Sequence, residues 1–236
     1  MRLLVTGVDE ASVDAAMRIL PFRRSARVWS ESDVNSAILT SSPSQLHDVA
    51  ASQLFFKIAC GFANLRDHGF LSFGGVGMCR FGSSNSRSKQ ASAGIMCNTR
   101  TKEDTAWPNL VIELGHSESM TLLQLDAKWW LTASGGLTRI AIVVQVELPE
   151  NTIHLETWRL QPNPQAQPTG QAPSHLPINT QTIDIDAAGV VTPANASLTI
   201  RYADIFDVGH TNGQDVVLST TQLTQFAQFV FIHCIH

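Results

Sequence analysis

Paired cysteines are missing from this chain. Its four cysteines, Cys60, Cys79, Cys97 and Cys234, lie far apart with no CxxC spacing. That excludes a zinc ribbon and a disulfide framework and leaves buried thiols in a reducing compartment as the expectation. Charge is also scarce, with 15% of residues charged against 44% hydrophobic, a ratio that excludes disorder and predicts a globular chain. The net charge of -4 provides no basic field to draw in nucleic acid from a distance, so any such binding has to be local. No apolar run approaches the roughly 20 residues of a membrane span, and the apolar stretch at the start is too short for a signal peptide. The expectation is therefore no membrane partner and an intracellular location, in cytoplasm or nucleus. Three catalytic signatures are missing as well. Gly74-Gly75-Val76-Gly77 has no helix after it to make a dinucleotide site, Ser117 lacks the flanks of a nucleophile elbow, and no His–Asp spacing suggests a triad.

What is present organises the 236 residues as one domain, or one domain with an appendage. Residues 1–44 have no strong periodicity, carry Arg18, Arg23, Arg24 and Arg27, and end in Ser41-Ser42-Pro43-Ser44, which predicts an N-terminal arm. From residue 45 to about 65, Leu46, Val49, Leu54, Phe55, Ile58, Ala59 and Phe62 recur at helical spacing behind a Ser44 cap. A strand and tight turn follow over 70–79, then a polar loop, then a short strand over 93–97. Residues 110–114 read as a buried strand, 122–131 as an amphipathic helix, 140–146 as a second buried strand and 153–158 as a further one. The Pro/Gln-rich connection at 161–177 excludes a helix or a central strand there. Residues 178–236 read as a β-rich extension with a short strand at 215–219 and a last helix from Thr220.

Within this pattern Glu113 stands out, because it interrupts the apolar run Leu110-Val111-Ile112-Glu113-Leu114. A carboxylate buried bare costs on the order of several kcal/mol, so it must be paired, protonated or bound to a metal. On a helical wheel Glu118, Leu122, Leu125, Asp126 and Trp129 share one face, taken as the face toward the sheet, and Lys128 points away into solvent. Glu113, Asp126 and Glu118 could then converge on Mg²⁺, a hard ion that accepts a few oxygen ligands and keeps part of its water. Equally, Asp126 could bond a backbone amide or an indole N–H of Trp129 or Trp130. Glu118 could simply favour a helix start. Arg80, Arg87, Lys89, Arg100 and Lys102 stand without an acid between residues 80 and 102, which is what phosphate contact requires and equally what a solvated loop contains.

The run from Trp107 through Pro108-Asn109-Leu110-Val111-Ile112-Glu113-Leu114-Gly115 to Ser119, followed by Leu125-Asp126-Ala127-Lys128-Trp129-Trp130-Leu131 and the strand over 140–146, resembles a group of uncharacterised fungal proteins. These in turn resemble the PD-(D/E)xK nuclease superfamily, with its restriction-endonuclease-like fold. The resemblance runs from about residue 45 to 158. It implies an α/β fold whose core at 45–160 is a mixed sheet flanked by helices, in the order helix, strand, strand, strand, helix, strand. In that superfamily an Asp on one strand and an acid-x-Lys pair on the next bind Mg²⁺ and position water for phosphodiester hydrolysis. Carried over, Glu113 matches the acid of the pair, Ser92 stands where the Asp would be, and Gly115 stands where the lysine would be. Two functions follow as expectations. One is a Mg²⁺-dependent hydrolase of nucleic acid with a degenerate site, in which Glu113 and Asp126 are catalytic, Glu113, Asp126 and Glu118 hold the metal, and Arg87 and Lys89 contact nucleic acid. The other is a non-catalytic nucleic-acid-binding or protein-interaction module that retains the nuclease fold.

Overall fold

The computed structural model describes residues 2–6, 27–31, 36–40, 45–63, 71–74, 79–81, 87–97, 107–116, 119–166, 173–206 and 213–234. In chain order the elements are β1 (Arg2–Thr6), β2 (Arg27–Glu31), β3 (Ser36–Thr40), α1 (Gln45–Ala63), β4 (Leu71–Gly74), β5 (Cys79–Phe81), β6 (Arg87–Lys89), β7 (Ala93–Cys97), β8 (Leu110–Gly115) and α2 (Met120–Ala133). They continue with β9 (Ile140–Glu147), β10 (Thr152–Pro162), β11 (His175–Ile185), β12 (Val191–Thr192), β13 (Leu198–Ile200), α3 (Tyr202–Ile205), β14 (Val216–Leu218) and α4 (Thr220–Cys234).

The protein is α/β, centred on a seven-stranded mixed sheet in the order β12-β11-β10-β9-β8-β7-β4. Its β8–β9 pair is parallel, with Glu113 opposite Val143, and the other neighbouring pairs are antiparallel. Parallel neighbours need a crossover, which α2 supplies. The helix stops at Gly135 (φ 61°) and Gly136 (φ 89°), left-handed conformations that glycine adopts without a side-chain clash. Because side chains alternate along a strand, β8 feeds two cores. Leu110, Ile112 and Leu114 join Leu54, Ile58 and Phe62 of α1 and Phe226 and Val230 of α4. Val111, with Ala141 and Val143 of β9, instead packs under Leu123, Ala127, Trp130 and Leu131 of α2. Glu113 follows Val111 by two residues and so belongs to the α2 side.

Several expectations need correction here. The face of α2 that packs on the sheet is Leu123, Ala127, Trp130 and Leu131, whereas Leu122 and Leu125 are exposed. The covered face is thus rotated from the one through 122, 125 and 129, because Trp130 and Ala127, not the two leucines, lie against the sheet. Residues 1–44 contribute β1, β2 and β3 to a five-stranded antiparallel sheet in the order β1-β3-β2-β6-β5. Backbone pairing holds these short segments without a long hydrophobic period. The connection over 161–177, expected to hold no central strand, holds strand at both ends, since β10 runs to Pro162 and β11 starts at His175, and the two strands pair from Ile153–Ile185 to Pro162–His175. Pro162 and Pro177 are accommodated there because the pairing at that end is the outermost part of a long ladder. Cys97 is buried but Cys60 is exposed. Among the described residues, no helix is long and apolar enough to cross a membrane.

Candidate functional site

The chain passes from the peripheral sheet to the central one at Lys89. Its backbone is the last residue of β6, in register with Trp29 and Cys79, and β7 begins four residues later. At that junction the Lys89 side chain turns inward. Its Nζ lies 2.5 Å from Asp126 Oδ1 and 3.4 Å from Glu113 Oε1, so the two carboxylates face one another across a single ammonium. Trp130 Nε1 donates to the same Glu113 Oε1 at 2.5 Å. Lys89 is 7% exposed and Glu113 3%, and Trp107, Trp129 and Trp130 pack edge to face or tilted beside them with centroids 5.1–5.9 Å apart.

The sequence thus placed Glu113 on a buried strand and Asp126 within reach of it, and the structure brings the two together. Lys89 is a different matter. It is directed away from solvent and held by two acids, so it is not placed to meet a phosphate backbone. An ammonium in an apolar setting is stabilised most by the carboxylates that can reach it. Arg87 lies on β6, and Glu118 lies outside the described residues, as do Ser117, Arg100 and Lys102. Ser92, expected from the resemblance to stand where a strand aspartate would be, accepts from the Leu114 amide at 3.0 Å and lies 3.3 Å from His47 of α1. It therefore serves the opposite side of the sheet.

As arranged, this site does not fit Mg²⁺. The space between the carboxylates is filled by the lysine, and among the described residues no group of three His, Cys, Asp or Glu side chains is placed to hold a metal. What the site does hold is a buried charge network. Removing Lys89 would take from both carboxylates the ammonium they share, whereas removing either acid would leave Lys89 paired with the other.

A second polar cluster lies on the same face of the sheet, and sequence reasoning missed it. On β10 the alternation places His154, Glu156 and Trp158 on the α2 side, while Ile153 and Leu155 join the other core. His154 Nδ1 lies 2.5 Å from Asp184 Oδ1 on β11, and its Nε2 lies 3.3 Å from Glu156 Oε1. Glu156 also accepts from Trp158 Nε1 at 2.7 Å and from Gln124 Nε2 of α2 at 3.1 Å and 3.2 Å. Lys128 belongs here too. Its Nζ sits 5.1 Å over the Trp158 ring, a cation–π contact, not the solvent position expected for it. Burial pulls the His154 pKa down, but hydrogen bonds to Asp184 and Glu156, with their charges, outweigh that and hold it above 6.5. Beside the cluster is a cavity of about 380 Å³ lined by Met120, Gln145, Glu147, His154, Asp184 and Asp186 among others. The signal was legible: in Ile153-His154-Leu155-Glu156-Thr157-Trp158 every second residue is polar or aromatic, which is a half-buried strand with a chemically rich face.

Set against known proteins, the chain matches no family model and no curated sequence.

Proposed function

We propose that this chain is a restriction-endonuclease-like protein with a degenerate active site, and that it works as a non-catalytic nucleic-acid-binding or protein-interaction module. The element order supports the fold. Within the central sheet, helix α1, strands β4, β7 and β8, helix α2 and strand β9 come in that chain order, with β5 and β6 of the other sheet inserted between β4 and β7. Strand β7 is antiparallel to both neighbours, β8 is parallel to β9, and the lone strand acid stands in the middle of β8. The absence of catalysis rests on one observation. Lys89 takes the position between Glu113 and Asp126 that a divalent cation would have to occupy. A tethered ammonium pairs with the acids without offering a coordination site to water or phosphate.

The second reading, Mg²⁺-dependent phosphodiester hydrolysis, draws on the same trio, since two carboxylates and a lysine are the group types the superfamily uses. A cleavage assay with Mg²⁺ or Mn²⁺ on DNA and RNA separates the two. The module reading expects equal, background-level product from the wild type and Glu113→Ala. Metal-dependent product from the wild type that disappears in the variant establishes hydrolysis instead.

A further inference from the structure

The cluster around His154 carries a property that the Glu113 site does not. Both ring nitrogens of His154 face a carboxylate oxygen, Asp184 at 2.5 Å and Glu156 at 3.3 Å. A neutral imidazole has one N–H and one lone pair, so it can satisfy only one of these acceptors, while the imidazolium donates to both. The two acids differ in their access to water. The Glu156 side chain is 7% exposed and the Asp184 side chain 57%. Glu156 is fixed from two further directions, by Trp158 on its own strand and by Gln124 on α2, whereas His154 is the one described side chain bonded to the Asp184 carboxylate. Both His154 and Asp184 form part of the wall of the 380 Å³ cavity.

We propose that His154 is a proton-operated clasp on this cavity: protonated, it ties Asp184 of β11 to Glu156 of β10, and on losing its proton it keeps Glu156 and releases Asp184 into solvent, opening the wall. The order of release follows from solvation. Turning a lone pair toward a buried carboxylate that cannot rotate into water is the costlier outcome, so Nε2–H stays with Glu156 and the bare Nδ1 faces Asp184. The charged groups on the surrounding elements are Glu147 of β9 and Asp186 beyond β11, which line the same cavity, and Lys128 of α2, which sits over the Trp158 ring. The groups that act on the ring are Asp184 and Glu156. Gln145, directly across from His154 on β9, is neutral. The step moves one proton from Nδ1 to solvent and forms or breaks no covalent bond to carbon.

The test is an NMR titration of the full-length protein that follows the His154 ring carbons and the Met120 methyl group, which lines the same cavity. The ring midpoint is expected above that of an ordinary histidine, and the Met120 methyl is expected to shift with the same midpoint. Asp184→Asn, at an exposed position that leaves the core intact, lowers the ring midpoint. His154→Gln abolishes the pH dependence of the Met120 signal. A ring midpoint unmoved by Asp184→Asn overturns the clasp, as does a Met120 methyl that stays still or follows a different midpoint. Because none of these signals depends on nucleic-acid cleavage, failure here is distinguishable from failure of the reading given for Glu113.

Discussion

Two polar clusters share the α2 face of the central sheet, and they are built from the same plan with opposite solvent access. At β8 a lysine sits between two acids with Glu113 almost fully enclosed. At β10 and β11 a histidine sits between two acids, one of them largely in water. In each, a tryptophan indole donates to the buried member, Trp130 to Glu113 and Trp158 to Glu156. Enclosure makes the first cluster a fixed structural charge whose parts depend on one another. Partial exposure makes the second one exchangeable, and histidine is the side chain whose ordinary pKa lies in the physiological range. Helix α2 serves both, sending Asp126 and Trp130 one way and Gln124 and Lys128 the other.

The sharpest way to break this contrast is Lys89→Met, which takes from Glu113 and Asp126 the ammonium they share. The expected loss is about 3–5 kcal/mol in urea denaturation; a loss under about 1 kcal/mol would mean that the cluster behaves like an exposed ion pair. Mn²⁺ should raise the melting temperature of this variant and leave the wild type unmoved. Equal rises in both would show that Lys89 does not hold the cation's place. Next in size is Glu113→Ala, which takes the Glu113 carboxylate from Trp130 Nε1 and leaves Lys89 paired with Asp126, for a loss of about 1–3 kcal/mol. Glu113→Gln, which keeps an acceptor, should lose less.

Trp158→Phe sharpens the other side of the comparison. It removes one of several donors to Glu156 and should cost about 1 kcal/mol by thermal melting, less than Trp130→Phe at the enclosed site. The smallest effect is that of pH. Because the folded-state pKa of His154 is raised above 6.5, its stabilising contribution is fully present below that value and fades as pH rises through the folded value. The melting temperature of the wild type relative to His154→Gln should therefore fall across that window, and added salt should shrink the difference. A relative rise would reverse the assignment.

Much of this was readable before any coordinates. Helices α1 and α2 and strands β4, β7, β8 and β9 follow from where the hydrophobic period changes between 3.6 and 2, and the extents of β7, β9 and α4 lie close to the boundaries so obtained. Strand β6 does not, because its Arg87–Lys89 stretch has no apolar alternation and reads as part of a polar loop. Glu113 was found because a charge inside an apolar strand has few ways to be stable. Lys89 was not found, since nothing local distinguishes a lysine that ends a basic loop from one that turns inward. Its partners are 24 and 37 residues further along the chain, and only the junction between the two sheets brings them near. His154 and Glu156 were visible as one face of a strand, but their meaning depended on Asp184, about 30 residues away on the neighbouring strand. The side of α2 that faces the sheet was misread because a wheel ranks residues by hydrophobicity, whereas the crossover between β8 and β9 decides which side is covered.

By itself, the sequence determined the α/β class and the position of the buried strand acid. These depend on periodicity and residue type, which are local. The tertiary structure alone decided that a lysine from the neighbouring sheet closes the acid pair, and that a histidine two strands away joins two acids beside an open cavity. Electrostatic pairing depends on distance and burial, and those arise only when segments far apart in the chain are packed together.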